Sequence, residues 1–280
     1  MTRVCGKPML WAGVSLRRLL AHTQAGRIGS AVVACFLVAL LLTGAARGQV
    51  YAEGGMEAYE SEFYFTRLAY SSNSFGRRGG FRSAWTTDFP EAEVHLLQGI
   101  SRLTRVATAQ QGRIVSLDDD ELMNYPWLYA VEVGNWYLDD RQAARLREYL
   151  LRGGFLMVDD FWGEFEWRAF YESMVRVFPD RAIIEIPEDD ALLHVLYDLD
   201  QRIQIPGAYA ARSGITWEKG GTTPHWRGIY GDDGRLMVAI NFNMDLGDAW
   251  EHADDPYYPE PMTALAYRFA VNYVIYSMSH

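Results

Sequence analysis

Residues Phe155 to Val158 are apolar without a break, bounded by Gly153 and Gly154 on one side and by Asp159 and Asp160 on the other. A strand with one wet face alternates polar and apolar residues, so an uninterrupted run describes a strand buried on both faces. Helices must then cover both sides of its sheet, the architecture of parallel α/β folds. The neighbouring segments agree. Strands are expected at 61–70, 112–117, 126–133, 182–186 and 237–245. A helix is expected from Pro90, with Asp88 as its cap and Val94, Leu97, Ile100 and Leu103 on one face. Asp139 opens another, with Ala143, Leu146 and Leu150 inward and Gly153–Gly154 as its stop. Further helices are expected near 164–178 and over the last residues, TALAYRFAVNYVIYSMS. The alternation predicts a doubly wound, mainly parallel sheet with helices on both faces. After Pro187 the rhythm changes, and 206–235, rich in Gly, Pro and Trp, reads as a long loop or small subdomain.

Residues 1–48 are a different material. They hold six basic residues and no acid, and Ile28 to Leu42 are almost wholly apolar before the small residues TGAARG. This is the pattern of a secretory signal peptide. An uncleaved inner-membrane anchor through residues 28–45 is the alternative, although the apolar run falls short of the ~20 residues a span needs. Residues 49–60 read as a linker, leaving 61–280 as a single α/β domain. Export to the periplasm or another extracytoplasmic space is the expectation. Without residues 1–48 the chain keeps 20 of its 26 basic residues and all 36 acids, a formal charge of −16. Such a charge argues against nucleic acid and against anionic lipid as partners, leaving the N-terminal segment as the contact with a membrane. Cys5 and Cys35 both fall in the signal, so disulfides, thiol nucleophiles and thiolate metal sites are excluded from the mature chain.

In open parallel sheets ligands collect at the carboxyl ends of the strands. Those ends are expected to offer Arg67 and Tyr70, then Gly134, Asn135 and Trp136, then Asp159, Asp160, Phe161 and Trp162. Adjacent strand residues point to opposite faces, so one of Asp159 and Asp160 is expected to serve a ligand and the other to cap the helix starting near Gly163 or Glu164. Glu132, inside an apolar strand, needs a partner or must face the cleft. Phe161, Trp162 and Trp226 offer flat surfaces of the kind on which sugars stack, or else belong to the core. In 241–255, Asn241, Asn243 and Asp245 alternate and would share one strand face, followed by Asp248, Glu251, His252, Asp254 and Asp255. Asp245, Asp248 and Glu251 are oxygen ligands suited to Ca²⁺ or another divalent cation, with an acidic solvated loop as the alternative. His225, beside Trp226 and Arg227, is a candidate general base. No other cofactor is expected.

The series EFYFTRLAYSS, WTTDFPEAEVHLLQGISRLT, GGFLMVDDFWG and HWRGIYGDDGRLMVAINFNMDLGDAWE resembles the prokaryotic domain-of-unknown-function family 4159 over nearly all of residues 61–280. The resemblance implies a class I glutamine amidotransferase-like fold, flavodoxin-like and shared with trehalose-utilisation-type proteins. In that fold the turn after the apolar strand carries the catalytic cysteine; here Asp159 and Asp160 stand in it. The resemblance also implies envelope partners such as von Willebrand factor A-type proteins. Two functions follow: a non-catalytic domain that binds a small polar ligand or a partner at a degenerate amidotransferase-like site, or a hydrolase of a carbohydrate or cell-wall substrate using Asp159 or Asp160 with His225, with or without a metal.

Overall fold

The computed structural model describes residues 61–72 and 83–280; the expected signal peptide and linker lie outside the described residues. Seven strands form one sheet. In chain order they are β1 (Thr66–Ala69), β3 (Arg113–Ser116), β4 (Trp127–Val131), β6 (Phe155–Asp159), β7 (Ile184–Glu185), β8 (His225–Tyr230) and β9 (Leu236–Phe242). Their spatial order is β3-β1-β4-β6-β9-β8-β7. β3, β1, β4, β6 and β9 are mutually parallel, whereas β8 is antiparallel to both β9 and β7. Two short strands, β2 (Ser71–Ser72) and β5 (Trp136–Tyr137), pair separately. The helices are α1 (Glu91–Leu103), α2 (Asp140–Leu151), α3 (Gly163–Val177), α4 (Ala208–Arg212), α5 (Leu246–Glu251) and α6 (Glu260–Ser279).

The apolar run sits where its composition requires. Phe155 and Met157 of β6 join Trp127, Tyr129 and Val131 of β4 in one core, with α1, α5 and α6. Leu156 and Val158 join Leu128 and Ala130 in a second core, with α2 and α3. Each strand therefore feeds two cores by simple alternation. At about 1.5–3 kcal/mol for each large side chain removed from water, this double burial dominates the stability of the fold. Among the described residues no helix is long and apolar enough to cross a membrane.

The predicted punctuation of α2 is realised. Asp139 accepts from Gln142 N–H at 2.8 Å, and Gln142 Oε1 accepts from Asp139 N–H, closing a capping box. At the other end Gly153 takes φ 107°, open to glycine at little cost. Replacing Asp139 by Ala is expected to lower stability by about 1 kcal/mol. Urea unfolding checks this, with a reduced midpoint and an unchanged slope.

Three expectations change. Asp88 does not cap α1, whose cap position is Pro90; at φ 62° it accepts from Ala92 N–H through its carbonyl and sends its carboxylate elsewhere. The buried stripe of α1 runs through Ala92, Glu93, Leu96, Leu97 and Ile100, leaving Val94 and Leu103 exposed, because Glu93 must reach the buried Arg67. Segment 206–235 is not all loop, since it supplies α4 and the whole of β8. In β8 Trp226 enters the first core and Ile229 the second, a strand pattern that the flanking Gly and Pro conceal in the sequence.

Candidate functional site

Acidic side chains gather at the carboxyl ends of β4, β6 and β9. β6 ends in Asp159, fully buried. Its Oδ2 accepts from Leu246 N–H at 2.8 Å, from Gly247 N–H at 2.9 Å and from Tyr129 Oη–H at 3.2 Å. Asp159 thus caps α5, which begins 87 residues further along the chain, and not α3 as expected. Burial raises its pKa to about 7, against the pull of those hydrogen bonds. Its Oδ1 is buried without a hydrogen-bond partner.

The next residue is strained. Asp160 has φ 50° and Glu132, just past the end of β4, has φ 53°. Left-handed backbone in a non-glycine residue is costly and clusters at working sites. Asp160 Oδ1 accepts from Trp162 Nε1–H at 2.8 Å. Glu132 Oε2 accepts from Asn135 Nδ2–H at 2.7 Å. Lys219 comes from the crossing segment between α4 and β8, its Nζ 2.8 Å from Glu166 Oε1 and 3.7 Å from Glu132 Oε2. Burial raises the pKa of Asp160, and Glu132 and Asp88 push it further, with Lys219 opposing. For Lys219 burial works against the charge, but Glu132, Glu166 and Asp160 outweigh it and hold the ammonium protonated.

Helix α3 is capped by other means. Glu166 Oε2 accepts from Trp162 N–H at 2.7 Å, and Asn243 Oδ1 accepts from Gly163 N–H at 2.8 Å. Gly163 has no room for a side chain, since a Cβ would fall 2.3 Å from the carbonyl oxygen of Lys219. The crossing segment therefore lies directly on the start of α3. Gln204 fastens it from below, donating to the carbonyls of Gly221 and Asn243.

A second carboxylate group adjoins the first. One ligand atom from each of Asp88, Asp245 and Asp248 lies within 4.8 Å of the others; the same holds for Asp248, Glu251 and His252. Asp245 Oδ1 accepts from Asp248 N–H and Asp248 Oδ2 from Ala208 N–H, so both are held by the backbone of α5 and α4. Asp88 is delivered by the loop before α1, which Arg67 braces through the carbonyls of Trp85 and Thr87 at 3.0 and 2.8 Å. Burial raises the pKa of Asp245, and Asp160 and Asp248 add to it; burial and then Asp248 do the same to Asp88. Arg67 opposes the rise at Asp88 from a distance, and His252 Nε2 lies 3.8 Å from Asp248 Oδ1, but among the described residues no Lys or Arg makes an ion pair with Asp88, Asp245 or Asp248.

The expected site residues divide accordingly. Asp159, Asp160, Asn135, Tyr70, Asn243, Asp245, Asp248 and Glu251 stand at this end of the sheet; Tyr70 is buried and donates to the carbonyls of Val131 and Glu132. Asn241, Asn243 and Asp245 do not form one row, because β9 stops at Phe242 and Asn243 turns at φ 61°. Asn241 instead faces the core and accepts from Tyr273 Oη–H. Arg67 is fully buried in an ion pair with Glu93, beside the Tyr129 ring, and its Nη2 is sealed from solvent without a hydrogen-bond partner. Phe161 and Trp226 lie inside the cores, and Trp162 is buried with its indole N–H on Asp160, so none of the three presents a face to a sugar. His225 is on β8, its Nδ1 2.7 Å from Glu185 Oε1, a carboxylate it shares with Arg227; neither Asp159 nor Asp160 is among its partners. Arg227 itself stacks on Trp167 at 4.5 Å.

Asp88, Glu166, Glu218 and Lys219 were not singled out as site residues from the sequence. Lys219 had a signal: a lone lysine before Gly220 and Gly221 in a Gly-rich crossing. Nor were the exposed aromatics Phe165, Tyr209 and Trp217, which adjoin in sequence the residues that frame the acids.

The sequence profile of one protein family, described as "Domain of unknown function (DUF4159)", matches residues 65–278. No curated protein gives a significant match to the chain.

Proposed function

Since the chain belongs to the DUF4159 family, whose description names no activity, we propose from its site that it is an exported cell-envelope domain that binds a small polar ligand without catalysis. The observation that carries this reading is the pair of strained carboxylates, Asp160 and Glu132, closing adjacent parallel strands beneath Lys219. A ligand rich in hydroxyls suits them, because carboxylates accept and the ammonium donates. The exposed rings of Phe165, Tyr209 and Trp217 supply apolar faces in place of the buried ones. The parallel strands, numbered along the chain, lie in the order second, first, third, fourth, fifth, which supports the flavodoxin-like reading; folds of that kind bind ligands where the strand order reverses, here between β1 and β4. With cysteine confined to positions 5 and 35, an amidotransferase-like site here is a degenerate one.

Thermal shift of the full chain against neutral and acidic sugars and cell-wall fragments tests the proposal. A true ligand at a hundredfold excess over Kd adds about 2.7 kcal/mol, roughly 5–10 °C for a domain of this size. The Asp160→Asn variant should fold and lose the shift. A panel without a single stabilising compound, or an Asp160→Asn variant that responds like the wild type, would sink the reading.

One observation favours a hydrolase instead. Asp160 occupies a left-handed strand-to-helix turn, the place where hydrolases on open α/β sheets hold a nucleophile, and a raised pKa suits a general acid. His225, tied to Glu185, is not its partner. Release of reducing ends from cell-wall polysaccharide, lost in Asp160→Asn, would establish this activity over simple binding.

A further inference from the structure

We propose that Asp88, Asp245 and Asp248 hold a hard divalent cation, Ca²⁺ in the first instance. The site stands on its own geometry and does not depend on the ligand-binding reading above. A Ca²⁺ ion keeps its oxygens at about 2.3–2.6 Å, so two ligands of one ion are at most ~5 Å apart. The three carboxylates satisfy that limit, with ligand atoms within 4.8 Å of one another.

Two further observations point to a missing positive partner. Asp88 Oδ2 is sealed from solvent without a hydrogen bond, and so is Oδ1 of the neighbouring Asp159. Buried carboxylate oxygens are satisfied by hydrogen bonds or by cations, and no donor of the described fold serves these two.

The surroundings are shaped for the same purpose. Gly247 lies between Asp88 and Tyr129: a Cβ there would fall 2.3 Å from Asp88 Oδ2 and 2.6 Å from Tyr129 Oη. Only glycine lets the Asp88 loop lean onto the first turn of α5. At Gly207 a Cβ would meet Glu218 Oε1 at 2.6 Å, Asp245 Oδ2 at 3.1 Å and Asp248 Oδ2 at 3.2 Å, which brings Glu218 to the border of the same space. The backbone donors of α4 and α5 engage one oxygen of Asp248 and one of Asp245, so both carboxylates are oriented before any ion arrives. All donors are oxygen and none is thiolate, which selects a hard cation. His252 and Glu251, grouped with Asp248 on the outer side, line the approach.

Calorimetric titration of the full chain, freed of metal with EDTA and dialysed, with CaCl2, MgCl2 and MnCl2 in turn tests the site. One saturable event per chain is expected. Asp88→Asn should weaken it at least tenfold while folding normally, because the Asp88 side chain makes no hydrogen bond that the substitution removes. Asp248→Asn, whose remaining amide oxygen can still accept from Ala208 N–H, should do the same and decides the matter if Asp88→Asn melts early. Glu172→Gln, on the exposed side of α3, should bind like the wild type. The proposal is overturned if none of the three salts saturates the wild type by about 10 mM, above the weakest extracellular Ca²⁺ modules. Undiminished binding in both Asp88→Asn and Asp248→Asn overturns it equally.

Discussion

In EDTA, the melting temperature of this protein is expected to fall as the pH is raised from 5 to 8. The pKa of Asp159 is raised from 3.8 to about 7 in the folded state, chiefly by burial, and those of Asp88, Asp160 and Asp245 are raised by the same cause. A carboxyl group with a raised folded pKa binds more protons folded than unfolded. Its contribution to stability is therefore complete below the unfolded pKa and is lost as the pH climbs through the folded one. For Asp159 that window runs from about 4 to about 7; about two units of it lie above pH 5, and at 1.36 kcal/mol per unit the loss between pH 5 and 8 is about 3 kcal/mol, or roughly 8 °C. The exposed, paired Asp180, with its pKa lowered to about 2, titrates well below this range and leaves the trend alone. Calorimetric melts at half-unit intervals measure it, and a level profile between pH 5 and 8 would contradict the burial of uncompensated acids. Added Ca²⁺ should flatten the fall, because a cation binds the deprotonated form and gains affinity as protons leave.

How much of this was legible beforehand depends on whether one element or several had to be read together. The double-faced burial of Phe155–Val158, the capping of α2 by Asp139 and the stop at Gly153 are local, and periodicity and side-chain chemistry display them directly. The end of β6 was recognisable as a site because two carboxylates follow an apolar strand. The roles of those carboxylates were not, since Asp159 caps a helix starting at Leu246 and α3 is capped by Asn243 and Glu166. The pairings of Asp159 with Leu246 and of Asn243 with Gly163 span eighty residues or more and leave no mark in a single sequence, whereas Glu166 stands only four residues from Trp162. An acid two residues before a helical proline fits the pattern of a helix cap, and Asp88 does so in the sequence. Its φ is positive and its carboxylate turns toward α5, in a loop that Arg67 holds from another strand. The aromatic residues stayed open between two readings: Phe161, Trp162 and Trp226 share a chemistry suited both to sugar faces and to the interior, and only tertiary packing buries all three.

Arg67 carries the second large effect. Its guanidinium is fully buried, paired with Glu93, packed on the Tyr129 ring at 5.1 Å and bonded to the carbonyls of Trp85 and Thr87. Removing one partner of such a pair strands the other charge in the core, which typically costs 3–5 kcal/mol. Arg67→Met should lower stability by about that amount, and Glu93→Met should do likewise. The double variant, Arg67→Met with Glu93→Met, removes both charges together and should recover most of the loss, because apolar replacement of a whole buried pair is often neutral or stabilising. Urea midpoints at constant slope give these energies. Stability and site should then separate. The double variant regains its core but not the two bonds by which Arg67 holds residues 85 and 87, so Asp88 loses its anchorage and Ca²⁺ affinity should stay low when stability returns. Full recovery of both would make Arg67 a core residue without bearing on the carboxylate group. Failure of the double variant to regain stability would show that the carbonyl bonds, more than the ion pair, are what the buried guanidinium supplies.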